Sequence, residues 1–168
     1  MITPAFAQLM ARYNSEMNRR LYRAAATLQD AQRKQDTKLF FGSLHATLNH
    51  LLWADRSWLG RLSGGVVPDV GIPESTGLIN EFAELQRARE TEDAKIEAWT
   101  ADLTDAWLAG DLTYTSRLNN RRRVMPHTLA LAHMFNHQTH HRGQAHAALT
   151  QAGVATEDTD LPLVWRPS

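Results

Sequence analysis

Five of the eight histidines in this chain lie within residues 133–146, in the stretch "HMFNHQTHHRGQAH". An α-helix turns by roughly 100° per residue, so side chains four residues apart project from the same face. His137 and His141 have this spacing, and small or apolar residues share their face, which indicates that the pair points into the protein. Two such imidazoles can bind one divalent cation such as Zn²⁺. The alternative is a pair of buried histidines held by hydrogen bonds.

A site with three protein ligands needs another histidine, and an upstream helical segment contains His45 and His50. These two residues are five apart and therefore lie on different faces of the helix. The face of His50 also carries Ala46 and Ala54, whose small side chains let this helix approach the last one closely. We therefore expect His50 to be the third ligand and His45 to be peripheral.

The positions of the other histidines assign them no ligand role. His133 and His140 lie beside the arc of the pair, where they can line a pocket or face solvent at its rim. His146 points to the opposite side of the helix and is predicted to be exposed. His127 lies in the first turn and receives no role.

Several neighbours of the pair are candidates for supporting roles. A metal-bound imidazole usually donates its second N–H to a carboxylate, a carbonyl or water. Asp55 can accept such a hydrogen bond or can form a structural ion pair with Arg142, and we favour the ion pair. Gln144 and Tyr13 are candidates for the pocket wall, although Tyr13 fits the core equally well. Gly143 is predicted to permit close helix packing.

The composition of the chain excludes several classes of function. Eighteen Lys and Arg residues balance eighteen Asp and Glu residues, so no net charge draws the protein to nucleic acid or to an anionic membrane. The absence of cysteine excludes disulfides, thiolate metal ligands and a cysteine nucleophile. The first residues, Met1 to Pro4, lack the charged and apolar regions of a signal peptide, and no apolar run reaches membrane-spanning length. We therefore expect a cytoplasmic protein.

Apolar residues at helical spacing predict four long helices as the elements that position these side chains. Their expected ranges are 4–34, 43–62, 76–108 and 126–153. Thr3 and Pro4 are a typical helix start, and Gly153 is a typical C-cap. Alternation over residues 111–124 predicts a short β-hairpin that turns near Asn119 and Asn120.

Four amphipathic helices with few strands indicate an all-α protein, a helix bundle in a single domain that spans residues 1–168. The second and third connections are long, so the spacing alone does not fix the order of the helices. The final segment "DLPLVWRPS" is expected to be extended. It would pack Leu161, Leu163 and Trp165 against the bundle.

The segments "SLHATLNHLLWADRSWLGRL" (43–62) and "HMFNHQTHHRGQAHAALTQAG" (133–153) strongly resemble the DinB family, part of the DinB/YfiT-like metalloenzyme superfamily. The likeness spans nearly the whole chain, from "ARYNSEMNRRLY" in the first helix to "DLPLV" near the end. It implies a four-helix bundle in up-down-down-up order. It also implies a metal held by three histidines, which in this chain are His50, His137 and His141.

Three neutral imidazoles leave one position open for water or a substrate atom, as in catalytic rather than closed structural zinc sites. The metal would lower the pKa of a water or thiol at that position and hold the anion as the nucleophile. We therefore assign no catalytic side chain. The resemblance implies a transferase that uses a low-molecular-weight thiol on a small electrophile. A metal-dependent hydrolase, a non-catalytic metal-binding stress protein and a purely structural bundle are the alternatives.

Histidine-only ligation accepts several divalent ions, of which we expect Zn²⁺, with Ni²⁺ or Fe²⁺ as alternatives. The expected partners are a small-molecule substrate and a low-molecular-weight thiol. A homodimer is expected from the resemblance and from the apolar helices that contain tryptophan.

Overall fold

The computed structural model describes residues 2–116 and 119–164 and contains four long helices. The helices are α1 (Pro4–Ala26), α2 (Asp30–Lys34), α3 (Leu44–Ser63), α4 (Phe82–Ala101), α5 (Asp105–Leu108) and α6 (His127–Gln151). An antiparallel hairpin of β1 (Asp111–Ser116) and β2 (Arg121–Pro126) precedes α6, and short 3₁₀ helices cover Pro73–Gly77 and Leu161–Val164. None of the described helices is both long and apolar enough to cross a membrane.

The first helix is shorter than the spacing predicts. It starts as expected, with the Thr3 hydroxyl capping the helix and Pro4 at its first position, but α1 ends at Ala26. A separate helix, α2, begins after Gln29, whose backbone N–H donates to the Gln32 side chain. The prediction of one helix to about residue 34 is therefore wrong. A polar capping arrangement interrupts an apolar pattern that is otherwise continuous.

The third predicted helix is also shorter than expected. The amide of Asn49 binds both the N–H and the carbonyl of Ile79, at 2.9 and 3.1 Å. The His45 imidazole donates to the same carbonyl at 2.9 Å. These contacts hold residue 79 outside a helix, so α4 begins only at Phe82. They also correct the expectation for His45, which is 6% exposed and holds this connection instead of lying at the periphery.

Two apolar clusters give the direction of each long helix. In one, the end of α1 meets the start of α3, the start of α4 and the end of α6; in the other, the opposite ends meet. Helices α1 and α6 therefore run one way, and α3 and α4 run the other way. This is the up-down-down-up bundle that the resemblance implies. The predicted ranges of α3, the hairpin and α6 are confirmed to within about two residues at each end.

Because α3 and α4 are parallel, the chain must return along the bundle between them, through residues 64–81. Gly60 allows this connection to lie against α3, since a Cβ there would come within 2.4 Å of the Val66 carbonyl oxygen. Gly64 ends α3 with a φ of 71°, a conformation that favours glycine. The same connection carries Ser75, which is fully buried against α3.

A layer of buried charge crosses the middle of the bundle. The guanidinium of Arg89 is 2% exposed and lies 2.8 Å from carboxylate oxygens of both Asp55 and Asp93. The Asn18 amide donates to Asp93 at 2.9 Å. Asp55 therefore forms a structural ion pair, as favoured above, but its partner is Arg89. Arg142 instead donates to the side chain of Asn14.

The segment after α6 lies against α1. The Tyr13 hydroxyl donates to the Thr159 carbonyl at 2.7 Å, and Arg20 donates to the Asp158 carbonyl at 2.8 Å. The segment ends in a 3₁₀ turn that is not extended, with Leu161 half-buried and Leu163 53% exposed. The predicted packing holds for Leu161 and fails for Leu163; Trp165 lies outside the described residues.

We expect Arg89→Ala to lower the free energy of unfolding by about 3–5 kcal/mol, because it leaves two buried carboxylates without their cation. Arg87→Ala, at an exposed position of the same helix, is the control and should change it by less than about 0.5 kcal/mol. Urea denaturation of chelator-treated protein measures both values. Equal effects in the two variants would contradict a stabilising role for the buried layer.

Candidate metal centre

The structure brings His50 of α3 together with His137 and His141 of α6. The Nε2 atoms of His50 and His137 are 3.3 Å apart. One ring nitrogen from each of the three lies within 4.8 Å of the others. His50 and His141 are buried and His137 is half-buried. The three imidazoles therefore converge on one point inside the bundle, as the helical spacing predicts.

Hydrogen bonds fix the tautomer of two of these rings. The Ser75 hydroxyl donates to the Ile72 carbonyl at 2.6 Å, so it accepts from the Nδ1–H of His50 at 2.8 Å. The Gln144 side-chain oxygen accepts from the Nδ1–H of His141 at 2.8 Å. Each Nε2 therefore keeps its lone pair and is directed to the common point. Gln144 thus orients a ring, which differs from its expected place in the pocket wall.

Burial keeps the three imidazoles neutral. Together with a smaller repulsion from neighbouring histidines, burial lowers the pKa of His50 to about 4 and that of His137 to about 3. Burial also lowers the pKa of His141, against the opposing effect of its hydrogen bond with Gln144. Near neutral pH all three rings are therefore available as ligands without first losing a proton.

This donor set fits a divalent transition metal. Two nitrogens that each lie ~2.1 Å from a tetrahedral ion are separated by about 3.4 Å, close to the 3.3 Å between His50 and His137. Neutral imidazoles suit Zn²⁺, Ni²⁺ and Fe²⁺, whereas Mg²⁺ and Ca²⁺ prefer oxygen ligands. A bound ion would replace the hydrogen bond that joins the Nε2 atoms of His50 and His137.

A cavity of about 540 Å³ adjoins the three histidines. The ring of Phe41 stacks on His50 with centroids 3.9 Å apart. The Trp58 ring meets the His133 ring edge to face, with centroids 4.7 Å apart. The other walls come from α3, the α3–α4 connection and the hairpin, with the side chains Trp53, Ile72, Tyr114 and Ser116 among them. The histidines therefore have one side against the bundle and one side against a largely aromatic pocket.

The remaining histidines divide between pocket and scaffold. His133 lines the cavity, whereas His140 is exposed and accepts a hydrogen bond from Gln144 at 3.2 Å. His127 stacks on Trp107 at 3.8 Å and donates to its carbonyl, which ties α6 to α5. His146 is half-buried beside α1, so its predicted exposure is wrong.

Two further expectations for the site are incorrect. Tyr13 faces the segment after α6, on the other side of the bundle from the three histidines. Gly143 is exposed and a Cβ there would meet nothing within 4 Å, so it is not needed for close helix packing. The sequence also gave no indication of Ser75 or Phe41, because both lie in connections whose path depends on tertiary contacts.

The sequence model of the DinB family matches residues 1–167. The chain belongs to the DinB family. It is 27% identical to the protein DinB of Bacillus subtilis (strain 168) in an alignment 167 positions long, gaps included. The alignment covers 94% of this chain and 92% of that protein. A crystal structure of a DinB-like protein from Bacillus cereus ATCC 10987 superimposes with a TM-score of 0.62 at 19% identity. That likeness covers 84% of this chain and 89% of the other and supports the fold.

In this DinB-family chain we expect Ser75→Ala to weaken Zn²⁺ binding by about 10–100-fold, because His50 loses the acceptor that orients its ring. Thr76→Ala removes a neighbouring hydroxyl that donates to the Pro73 carbonyl and not to a histidine of the site, and it should bind Zn²⁺ like the native protein. Competition with a chromogenic chelator measures both affinities. Native affinity in Ser75→Ala would show that the hydrogen bond has no part in the centre.

We expect the metal-free DinB-family protein to lose stability as the pH falls from 6.5 towards 4. In the unfolded chain His50 titrates near 6.5, whereas burial lowers its pKa in the fold to about 4. In this window the unfolded state binds a proton that the folded state does not, so acid favours unfolding. The contribution of His50 is fully present above pH 6.5 and is lost below it.

His50→Gln should reduce this pH dependence by at most about 1.4 kcal/mol per pH unit between 6.5 and 4. Urea denaturation at several pH values in the presence of chelator gives the two slopes. Identical slopes would mean that His50 titrates in the fold as it does in the unfolded chain.

Proposed function

We propose that this protein is a metal-dependent transferase that joins a low-molecular-weight thiol to a small electrophile. One observation supports this above others: three neutral imidazoles converge on one point beside an open aromatic cavity. A closed structural site would surround its ion with four protein ligands, whereas three ligands and a pocket leave room for a reactant.

His50, His137 and His141 would hold the cation, for which Zn²⁺ is the first candidate and Ni²⁺ or Fe²⁺ are alternatives. When bound, the ion supplies Lewis acidity, which lowers the pKa of a thiol that binds beside the imidazoles. Ser75 and Gln144 keep the ring nitrogens in the required tautomers. The protein would therefore contribute a rigid and uncharged set of three ligands that is partly shielded from water.

The chemistry of the cavity wall favours thiol transfer over hydrolysis. Among the described residues that line the cavity there is no Asp or Glu, so no carboxylate is in place to take a proton from attacking water. A thiol needs less help, because its ordinary pKa near 8.5 is much lower than that of water. His133, a neutral imidazole in the wall, is a base within the pocket that can take the thiol proton.

In the proposed step the sulfur of the thiol forms a bond to an electrophilic carbon. The bond from that carbon to its leaving group breaks, and the leaving group departs with the electron pair. The thiol proton passes to His133 and then to solvent. Apolar surface for the electrophile comes from Trp53, Trp58 and Phe41, which also exclude water from the reacting atoms.

The homodimer expected from the sequence stays a prediction that sedimentation analysis tests.

Metal analysis of untagged protein tests the first part of the proposal. We expect about one equivalent of divalent ion per chain, and loss of that ion in His137→Ala. His146→Ala is the matched control, because this histidine lies on the same helix but faces α1. Full occupancy in His137→Ala would overturn the ligand assignment.

A thiol titration of the Co²⁺-substituted protein tests the second part. We expect a sulfur-to-cobalt charge-transfer band, together with thiol-dependent turnover of an activated aryl halide that His137→Ala lacks. A bound ion with neither band nor turnover would identify a non-catalytic metal-binding protein instead. Hydrolysis of activated esters without thiol would favour the hydrolase.

A further inference from the structure

Aromatic rings from three parts of the chain line the cavity beside the histidines. The rings belong to Phe40 and Phe41 in the turn before α3, to Trp53 and Trp58 in α3, and to Tyr114 in β1. Tyr114 reaches the others because the hairpin packs against α3, where its ring meets that of Trp58 edge to face at 5.9 Å. A pocket with such walls suits a ligand that offers flat apolar surface.

A tight turn holds the two phenylalanines in place. The Gly42 N–H donates to the Leu39 carbonyl, and the Thr37 N–H donates to the Gly42 carbonyl, both at 2.8 Å. Gly42 has a φ of 81°, a conformation that favours glycine. Because the backbone is bonded on both sides of Phe40 and Phe41, the two rings leave it from fixed positions.

Phe40 lies at the mouth of the cavity with most of its surface in water. It is 78% exposed, although it lines the cavity and meets the Phe41 ring edge to face at 4.9 Å. Phe41 in turn stacks on His50 and lies 5.2 Å from the ring of His141. Phe40 is thus joined to the histidine centre through one ring. A ligand that covers Phe40 would gain from burying its exposed surface.

The charges at the cavity do not favour an ammonium ion, which aromatic rings can also hold. The described walls contain no Asp or Glu to pair with an ammonium group, and the divalent ion proposed at the histidines would repel it. The guanidinium carbon of Arg61 lies 5.1 Å from the ring centroids of both Trp58 and Tyr114, and Arg61 has a further interaction within the protein. Arg61 is therefore part of the packing of the wall itself.

We infer that the electrophile of the proposed reaction is a planar aromatic compound, with Phe40 as a specificity-determining residue at the mouth of its pocket. The inference rests on the proposed function, because it takes the cavity to be the substrate pocket. Each well-placed aromatic pair raises affinity about 2–10-fold beyond the effect of the buried area. A saturated molecule of the same size gains only from burial. The rings that line this cavity therefore discriminate between the two classes.

Two alcohols of nearly equal size test the inference without any thiol. Benzyl alcohol carries a planar aromatic ring, whereas cyclohexylmethanol carries a saturated ring and is the more apolar of the two. We expect Zn²⁺-treated protein to bind benzyl alcohol at least about threefold more tightly, although general hydrophobicity favours the other alcohol. An NMR titration followed at the indole N–H signals of Trp53 and Trp58 measures both affinities and shows whether the ligand enters the cavity.

Substitutions at Phe40 identify the ring responsible. Phe40→Ala should weaken the binding of benzyl alcohol about 2–10-fold. Phe40→Leu keeps apolar bulk, so it should lower the preference for benzyl alcohol and change the affinity for cyclohexylmethanol by less than about twofold. Phe6→Ala is the matched control, because Phe6 is 41% exposed on α1 and outside the described lining of the cavity. It should keep the native affinities.

The exposure of Phe40 makes these variants suitable for the test. A substitution at a residue that is 78% exposed should leave the fold intact, and urea denaturation of each variant checks this. A preference for benzyl alcohol that survives both Phe40→Ala and Phe40→Leu would overturn the role of Phe40. Equal affinities for the two alcohols, no binding of either at about 10 mM, or tighter binding of tetramethylammonium than of benzyl alcohol would overturn the inference as a whole.

The proposed function is judged by a different result. If the thiol titration of the Co²⁺ protein gives no charge-transfer band while the preference for benzyl alcohol persists, thiol transfer is wrong and the aromatic pocket stands. If the band appears without the preference, thiol transfer stands and the aromatic substrate class is wrong.

Discussion

The hydrogen bond between Ser75 and His50 joins the longest connection of the protein to its candidate metal centre. Two parallel neighbours, α3 and α4, require a chain segment that returns along the bundle, and this segment brings Ser75 to the back of the His50 ring. The same segment supplies Ile72 to the cavity wall. The tautomer of one ligand, the shape of the pocket and the topology of the bundle are therefore consequences of a single crossover.

Desolvation shifts pKa values in opposite directions at two levels of the bundle, because it disfavours the charged form of every group. At the metal centre it lowers the pKa of each imidazole, so these groups remain neutral and need no counter-ion. In the buried charged layer it raises the pKa of Asp55, and the attraction of Arg89 opposes that rise. Binding of a cation would therefore be favourable at the three neutral imidazoles, whereas the buried carboxylates already have their cation in Arg89. This difference explains why only one of the two buried polar clusters is suited to a metal.

Local periodicity was sufficient to predict the pairing of His137 and His141, because one helix determines their spacing. The small residues around His50 identified the right face of α3, since close helix approach depends on side-chain size. The helix ends were less predictable, because Asn49 binds the backbone of Ile79 from a distant part of the sequence. The sequence also could not identify the partner of Asp55. Arg89 and Arg142 are both arginines, and only the packing of α4 against α3 distinguishes them.

The separation of the donors along the chain has a consequence for biosynthesis. His50 and His137 are 87 residues apart, and the last helix of the bundle provides two of the three imidazoles. A growing polypeptide that has not yet produced α6 contains only one of these three imidazoles, and a single imidazole binds divalent ions only weakly. The metal binding proposed above would therefore follow completion of the bundle, because it requires that α3 and α6 have come together.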